Sequence, residues 1–464
     1  MSSMGAALER GTWDPEMNMI PPIINGLWFF ERAPQLDAVV RMFEAKIWPN
    51  FRFHSCMEDG TWVARHKVMD RAYHFSEVAV ADEAAIDSYV QTAMFDPLDK
   101  DHPPWRMIFL RARTPKNRSA ILFRLHHSIG DGLGLLFAFS PQIGCEGGDL
   151  LSKIPLPKVM LPPSQQNMAP SLSSSSSPAS VTGRALGNPC SCCSAVCAFC
   201  RGCSVVLTAQ HDSELLLNAP LEERTPFIRF NGQRVHSRFP PVPMSSVKAV
   251  CKKHGCTVND VLMAAMTGAL RRYGAEVRGD PNLLSDDTEL EFKSMVMIGL
   301  PRPIDENDMM SALANNILFA SVPLPIDEPT AHGRLLRTME AFSNLKSKPY
   351  MAGLSCLTDL LKGILPQSVL RKAASETFSK HSLLVTNVPG PTVPMTFPKE
   401  GGEVLGEVHM VFPNVMPQVS LITYNGFVYG NMVADPQLFP DLPKLGDLWV
   451  RAFEELAQAP TGEE

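Results

Sequence analysis

The sequence predicts an α/β fold, and three observations carry that expectation. Apolar runs of strand length that end in turn residues stand at Ala120–Leu125, Met295–Leu300 and Ser382–Asn387. Amphipathic helical segments lie between and before them, at Leu36–Ile47 and Thr257–Tyr273. A Pro- and Ser-rich stretch then divides the 464 residues into two parts, each long enough to bury a core of its own. The expected division is an N-terminal domain at 1–154, a linker or insert at 155–211 and a C-terminal domain at 212–464.

Composition excludes several classes. Lys plus Arg number 42 against 48 Asp plus Glu, a net charge of −6, so no basic excess points to nucleic acid. No run of about 18 apolar residues exists to span a membrane. The opening Met1-Ser-Ser-Met-Gly lacks the apolar core of a secretory signal and a glycine directly after the first Met, so neither cleavage nor myristoylation is expected. With no such signal, the 11 unevenly placed cysteines fit a reducing compartment.

Taken in order, Met19–Phe30 reads as a first strand region. Leu36, Val39, Val40, Phe43 and Ile47 share one helix face directed at a core. Phe51-Arg-Phe53 and Thr61–Arg65 read as short strands joined by the turn Glu58-Asp-Gly60. Pro97, Pro103 and Pro104 break any helix before Trp105, which either anchors the core or walls a channel.

The run Ala120–Leu125 ends in His126-His127-Ser-Ile-Gly-Asp131-Gly132, followed by a second apolar run. Successive strand side chains point to opposite faces, so one histidine can face a cavity while the other packs behind it. Asp131 can fold back across the glycine turn to orient an imidazole or pin the loop. A neutral imidazole is a general base near pH 7. The plain alternative is a hydrogen-bonded structural histidine. Diverging side chains and the lack of a third ligand at a recognisable spacing argue against a metal.

Pro155–Pro178 holds six prolines and a serine run, the composition of a polar linker. Cys190, Cys192, Cys193, Cys197, Cys200 and Cys203 follow. A metal knuckle, S-acylation at a membrane surface and an ordinary linker all remain open for them.

Beyond the linker, Val258, Val261, Leu262, Ala265, Met266 and Ala269 form one apolar stripe, with Thr257 or Asn259 as candidate cap. Ser382–Asn387 is a buried strand closed by a Pro-Gly-Pro bend. Turn formation explains the prolines but does not require Asn387, whose amide could steady an oxyanion. Val419–Asp435 is a hairpin around Asn425-Gly426, and a last helix covers Leu445–Ala457.

His126-His127-Ser-Ile-Gly-Asp131-Gly132 resembles the HHxxxDG motif of the wax ester synthase/acyl-CoA:diacylglycerol acyltransferase family. Pro97-Leu98-Asp99 through Trp105 resembles that family's PLDxxxPLW segment, with Pro104 where leucine is usual. Asn259-Asp260 matches its ND motif, Ala314-Asn315-Asn316 through Pro325 resembles its GN…PLP strand with Ala314 for glycine, and Thr386-Asn387-Val-Pro-Gly-Pro391 matches its SNVPGP, with Thr386 for serine. Pro301-Arg302-Pro departs from the usual PVSxR, so no role is carried over to Arg302. The likeness spans nearly the whole chain except the Ser- and Cys-rich insert.

The resemblance implies two similar CoA-dependent-acyltransferase-like domains with an active-site tunnel between them. It implies transfer of an acyl group from acyl-CoA to a fatty alcohol or diacylglycerol. His127, the histidine of the embedded HxxxD pattern, would be the base, with His126 and Asp131 beside it. Gly132, Trp105, Asn259, Asp260 and Asn387 would contact substrate. No G-x-S-x-G elbow is present, so no covalent intermediate is expected, and acyl-CoA is a substrate with no cofactor required. The lipid substrates imply peripheral attachment to a membrane surface, that of the endoplasmic reticulum. The alternatives are a related acyltransferase with another hydroxyl or an amine acceptor, and a catalytically silent binder of lipid or acyl-CoA.

Overall fold

The computed structural model describes residues 20–156, 160, 196–200, 210–220, 222, 232–285, 288–302, 304, 305, 307–347, 349–356, 369 and 376–461. Most of the insert at 155–211, with four of its six clustered cysteines, lies outside them, as do residues 1–19.

Two mixed sheets form the frame, and β2 (Ser55–Glu58) and β3 (Thr61–Ala64) make a separate antiparallel pair. The first runs in the order β4 (Phe75–Val80), β5 (Trp105–Ala112), β6 (Ser119–His126), β1 (Ile23–Phe30), β14 (Glu403–Val411), β13 (Met395–Phe397), β7 (Gly144–Cys145). The second runs β11 (Ile317–Pro323), β10 (Lys293–Gly299), β12 (Leu383–Pro389), β15 (Gln418–Tyr424), β16 (Phe427–Ala434), β8 (Val235–Arg238), with β9 (Val242–Pro243) also on β16. Both faces of β6 are covered, and all eight of its residues are buried, which is why it reads as a continuous apolar run rather than an alternating one.

The linker divides the chain but not the sheets. After β12 the chain leaves the second sheet, lays β14 antiparallel against β1 in the first, and returns as β15. Asn25 fixes this exchange: its amide donates to the Val411 carbonyl at 3.0 Å and accepts from Arg124 Nε at 3.1 Å, so a buried polar group is satisfied across three strands. Arg238 on β8 adds an ionic tie, meeting Asp87 at 2.9 Å and Glu407 of β14 at 3.0 Å.

Helices cover the sheets where the apolar spacing places them. Helix α1 (Leu36–Met42) continues into a π-helical turn through Ile47, burying Val39, Val40, Phe43 and Ile47. Helix α2 (Glu83–Ala93) packs Ile86 and Val90 on the first sheet, and α3 (Gly132–Phe139) follows the histidine loop. On the second sheet, α4 (Met244–His254) leads through Gly255 in the left-handed conformation to α5 (Val258–Arg272). Helices α6 (Ala331–Lys346) and α7 (Pro443–Gln458) flank α5 in one core that includes Leu262, Leu335 and Trp449.

One local expectation is corrected, and one choice left open by the sequence is decided. Phe51–His54 is a helical turn, not a strand, because the Asn50 side chain accepts from Arg52 N–H and starts a turn; the strand begins at Ser55. The cap of α5 is Thr257 rather than Asn259: Thr257 Oγ1 accepts from the Asp260 N–H, while the Asp260 carboxylate accepts from the Thr257 N–H at 2.9 Å.

Candidate functional site

Residues from both halves line a cavity of about 360 Å³. Ile24, His127, Asp131, Gly132 and Leu133 come from the first half. Leu262 and Met263 of α5, Val296–Gly299 of β10, Val385–Pro389 of β12 and Phe342, Leu345 and Lys346 of α6 supply most of the other wall. Its walls are chiefly aliphatic and aromatic, with a few polar groups gathered around them, as suits an apolar substrate held for reaction at a polar end.

The strand end sends the two histidines to different places. His126 is buried and accepts the Ser128 backbone N–H at Nδ1; the Ser128 hydroxyl lies 2.8 Å away. Burial pushes its pKa down to about 3, so it stays neutral, and it is not part of the cavity wall. His127 is half-buried against the cavity, edge-on to Phe412. Its Nδ1 lies 2.7 Å from Asn315 Oδ1, while Asn315 Nδ2 donates to the His127 backbone carbonyl, also at 2.7 Å. Burial lowers its pKa, opposed by its own carbonyl, Asp131 and Asn315.

Asp131 caps α3, accepting the Gly134 N–H at 2.8 Å. Its carboxylate also takes the Asn316 N–H at 2.8 Å and both terminal nitrogens of Arg302, at 2.8 and 2.9 Å. Every one of these donors is fixed, and none is an imidazole. Asp131 pins the loop. Gly134 leaves room for the guanidinium, since a Cβ there would sit 2.8 Å from Arg302 Nη1.

Asn259 and Asn387 also meet at the cavity, Asn387 Nδ2 donating to Asn259 Oδ1 at 2.7 Å. Asn387 Oδ1 is buried with no partner among the described residues. One hydrogen of the Asn387 NH₂ is engaged in this way, and the group has a second. Asp260 is engaged too, with the Thr257 cap and, at 3.1 Å, with Lys346, a half-exposed cation at the cavity. Among the described residues no group of three His, Cys, Asp or Glu side chains could hold a metal ion.

The catalytic-domain model of the wax ester synthase/diacylglycerol acyltransferases matches residues 30–262, and the C-terminal-domain model of the same group matches residues 313–457. The chain belongs to this acyltransferase family.

Its relatives include a Mycobacterium tuberculosis protein named for diacylglycerol O-acyltransferase activity, 25% identical over 390 residues, covering 78% of this chain and 69% of the relative. Wax ester synthase/diacylglycerol acyltransferase 5 of Arabidopsis thaliana is 24% identical over 409 residues, 80% of this chain and 74% of its own. The fold is that of the solved wax ester synthase/diacylglycerol acyltransferase from Marinobacter aquaeolei VT8, with a TM-score of 0.59 at 17% identity over 99% of each chain. It is shared with the first condensation domain of the calcium-dependent antibiotic synthetase, with a TM-score of 0.60 at 12% identity over 100% and 96%.

Within this wax ester synthase/diacylglycerol acyltransferase chain, Trp105 is an expected site residue that does not line the cavity. It is fully buried, stacks on His74 with ring centroids 3.9 Å apart, and donates to the Phe53 carbonyl. It anchors the core instead of walling a channel. Conversely, sequence reasoning did not find Arg302, Asn315 or Lys346. A departure from the usual motif set Arg302 aside, yet a buried guanidinium is what the buried Asp131 needs.

Proposed function

We propose that the protein transfers an acyl group from acyl-CoA to a fatty alcohol or diacylglycerol, making wax ester or triacylglycerol, with His127 as general base. One observation carries this reading. His127 engages Asn315 through Nδ1, and its Nε2 has no hydrogen-bond partner among the described residues, beside a cavity with apolar walls.

In the reaction, the acceptor hydroxyl oxygen attacks the thioester carbonyl carbon as its proton passes to Nε2. The C–S bond of the tetrahedral intermediate then breaks, and the departing CoA sulfur takes that proton. No enzyme-bound acyl group forms. Positioned base catalysis contributes roughly 10²–10⁴-fold. The first-turn N–H of Gly132 has no preceding intrahelical carbonyl, so it is a suitable donor to the oxyanion. The unpartnered Asn387 Oδ1 can accept from a substrate hydroxyl. Acyl-CoA enters as substrate.

Both acceptors reside in membranes, so the proposal includes peripheral attachment to the endoplasmic reticulum surface. Among the described residues no helix is long and apolar enough to cross a membrane. The test is acyl transfer by the purified protein from palmitoyl-CoA, offered hexadecanol and dioleoylglycerol in parallel. Ester formed by the wild type and absent with His127→Ala supports the reading; no ester from either acceptor overturns it.

A further inference from the structure

The general base rests on a residue in the other half of the molecule, which has two contacts with it. Asn315 lies 188 positions from His127, just before β11, and both of its amide atoms meet the histidine. The His127 backbone carbonyl can only accept, so the amide group 2.7 Å from it must be the NH₂. That fixes the other end of the side chain as Oδ1, also an acceptor, 2.7 Å from the imidazole Nδ1. An Nδ1 without a proton would place two lone pairs in contact. Reversing the amide would instead set Oδ1 against the His127 carbonyl oxygen. Only one arrangement satisfies all four atoms.

We propose that Asn315 is a positioning residue that holds neutral His127 in its Nδ1-protonated tautomer, leaving the lone pair on Nε2 for the acceptor hydroxyl. The catalytic part of this inference rests on the acyl-transfer reading above; the tautomer does not. Asp131, which faces the same loop, does not compete for the imidazole proton, because its oxygens are committed to Arg302, Asn316 and Gly134. His126 turns away to Ser128. An amide fits this place better than a carboxylate would. It accepts from Nδ1–H without adding a charge that would raise the basicity of the ring, and it also fastens the backbone at the strand end.

The test has an arm independent of activity. Ring ¹⁵N shifts of the full-length protein, with the His127 signal assigned by its loss in His127→Gln, read the tautomer directly. The expected wild-type signal is Nδ1–H, with a shift toward mixed tautomers in the near-isosteric Asn315→Leu. In acyl transfer, Asn315→Leu should lower kcat by roughly 10–100-fold, part of what a positioned base supplies, with KM little changed. Asn315→Asp keeps an acceptor but adds a charge beside the ring. It should recover part of kcat and move the acidic limb of the pH profile upward, a change that loosened packing alone would not produce. An Nε2–H signal in the wild type, or full kcat in Asn315→Leu, overturns the inference. If the wild type makes no ester but its tautomer is Nδ1–H and depends on Asn315, the acyl-transfer reading fails and the tautomer assignment stands.

Discussion

Asp131 and Arg302 form a two-point ion pair, 171 residues apart in sequence, with both side chains 4% exposed. It closes the histidine loop of the first half onto the segment that leads into β11. Removing one partner leaves the other charge buried and alone, which costs about 3–5 kcal/mol. Arg302→Met should therefore lower unfolding stability by that amount in urea titration. Combining it with Asp131→Asn should recover part of the loss, since no charge is then stranded. Loss of stability in Arg302→Met that the double variant does not relieve at all would argue that the guanidinium acts through packing alone.

The pH dependence of the reaction follows from the surroundings of His127. Burial lowers its pKa, so the free base persists below the usual imidazole range near 6.5. The acidic limb of kcat/KM should lie below pH 6.5, with activity level above it. A limb above that value, measured with palmitoyl-CoA and a saturating acceptor, would point to a base other than His127.

The histidine pair shows how much of the site was legible. Strand alternation alone separates His126 from His127, and the structure buries the one and brings the other to the cavity. The α/β class, the helix face at α5 and the Asn425-Gly426 hairpin were legible for the same reason: each depends on neighbours in sequence. Asn425 and Gly426 take positive φ, 45° and 81°, as a two-residue hairpin turn needs. Arg302 and Asn315 were not legible, because their roles come from contacts made across 171 and 188 residues. The passage of β14 into the first sheet was hidden likewise. A strand's period says which face is buried, but not which sheet it joins.

The Pro-Gly-Pro bend needs its glycine for a reason beyond turn preference. A Cβ on Gly390 would lie 2.3 Å from the Thr423 carbonyl oxygen, a backbone atom held in the β12–β15 ladder. Gly390→Ala must push the strand end outward, at a cost of about 1–3 kcal/mol. Asn387 sits three residues before it, so the contact with Asn259 should loosen as well. The measurable outcome is a lower denaturation midpoint together with reduced acyl transfer. Wild-type stability in this variant would mean that the bend has slack the geometry does not suggest.

Acid should unfold this protein earlier than its carboxylates alone require. His74 and His126 are buried with pKa values lowered to about 4 and about 3, and burial also lowers that of His409. In the unfolded chain all three titrate near 6.5. Between 6.5 and the folded values the unfolded state therefore binds more protons, so stability is fully present above pH 6.5 and falls as pH decreases through that window. Each such histidine contributes a slope of about 1.4 kcal/mol per pH unit once its unfolded form is protonated. Glu407, held down to about 2 by His409, Arg118 and Arg238 against the cost of burial, adds its own loss below about pH 4.5. The urea midpoint should be level from pH 8 to 7 and then drop steadily toward pH 5. His126→Asn, which keeps an acceptor for the Ser128 N–H, should flatten that slope by one proton. A midpoint unchanged between pH 7 and 5 would show that these rings can take up protons in the folded protein, and that they are less enclosed than their burial states.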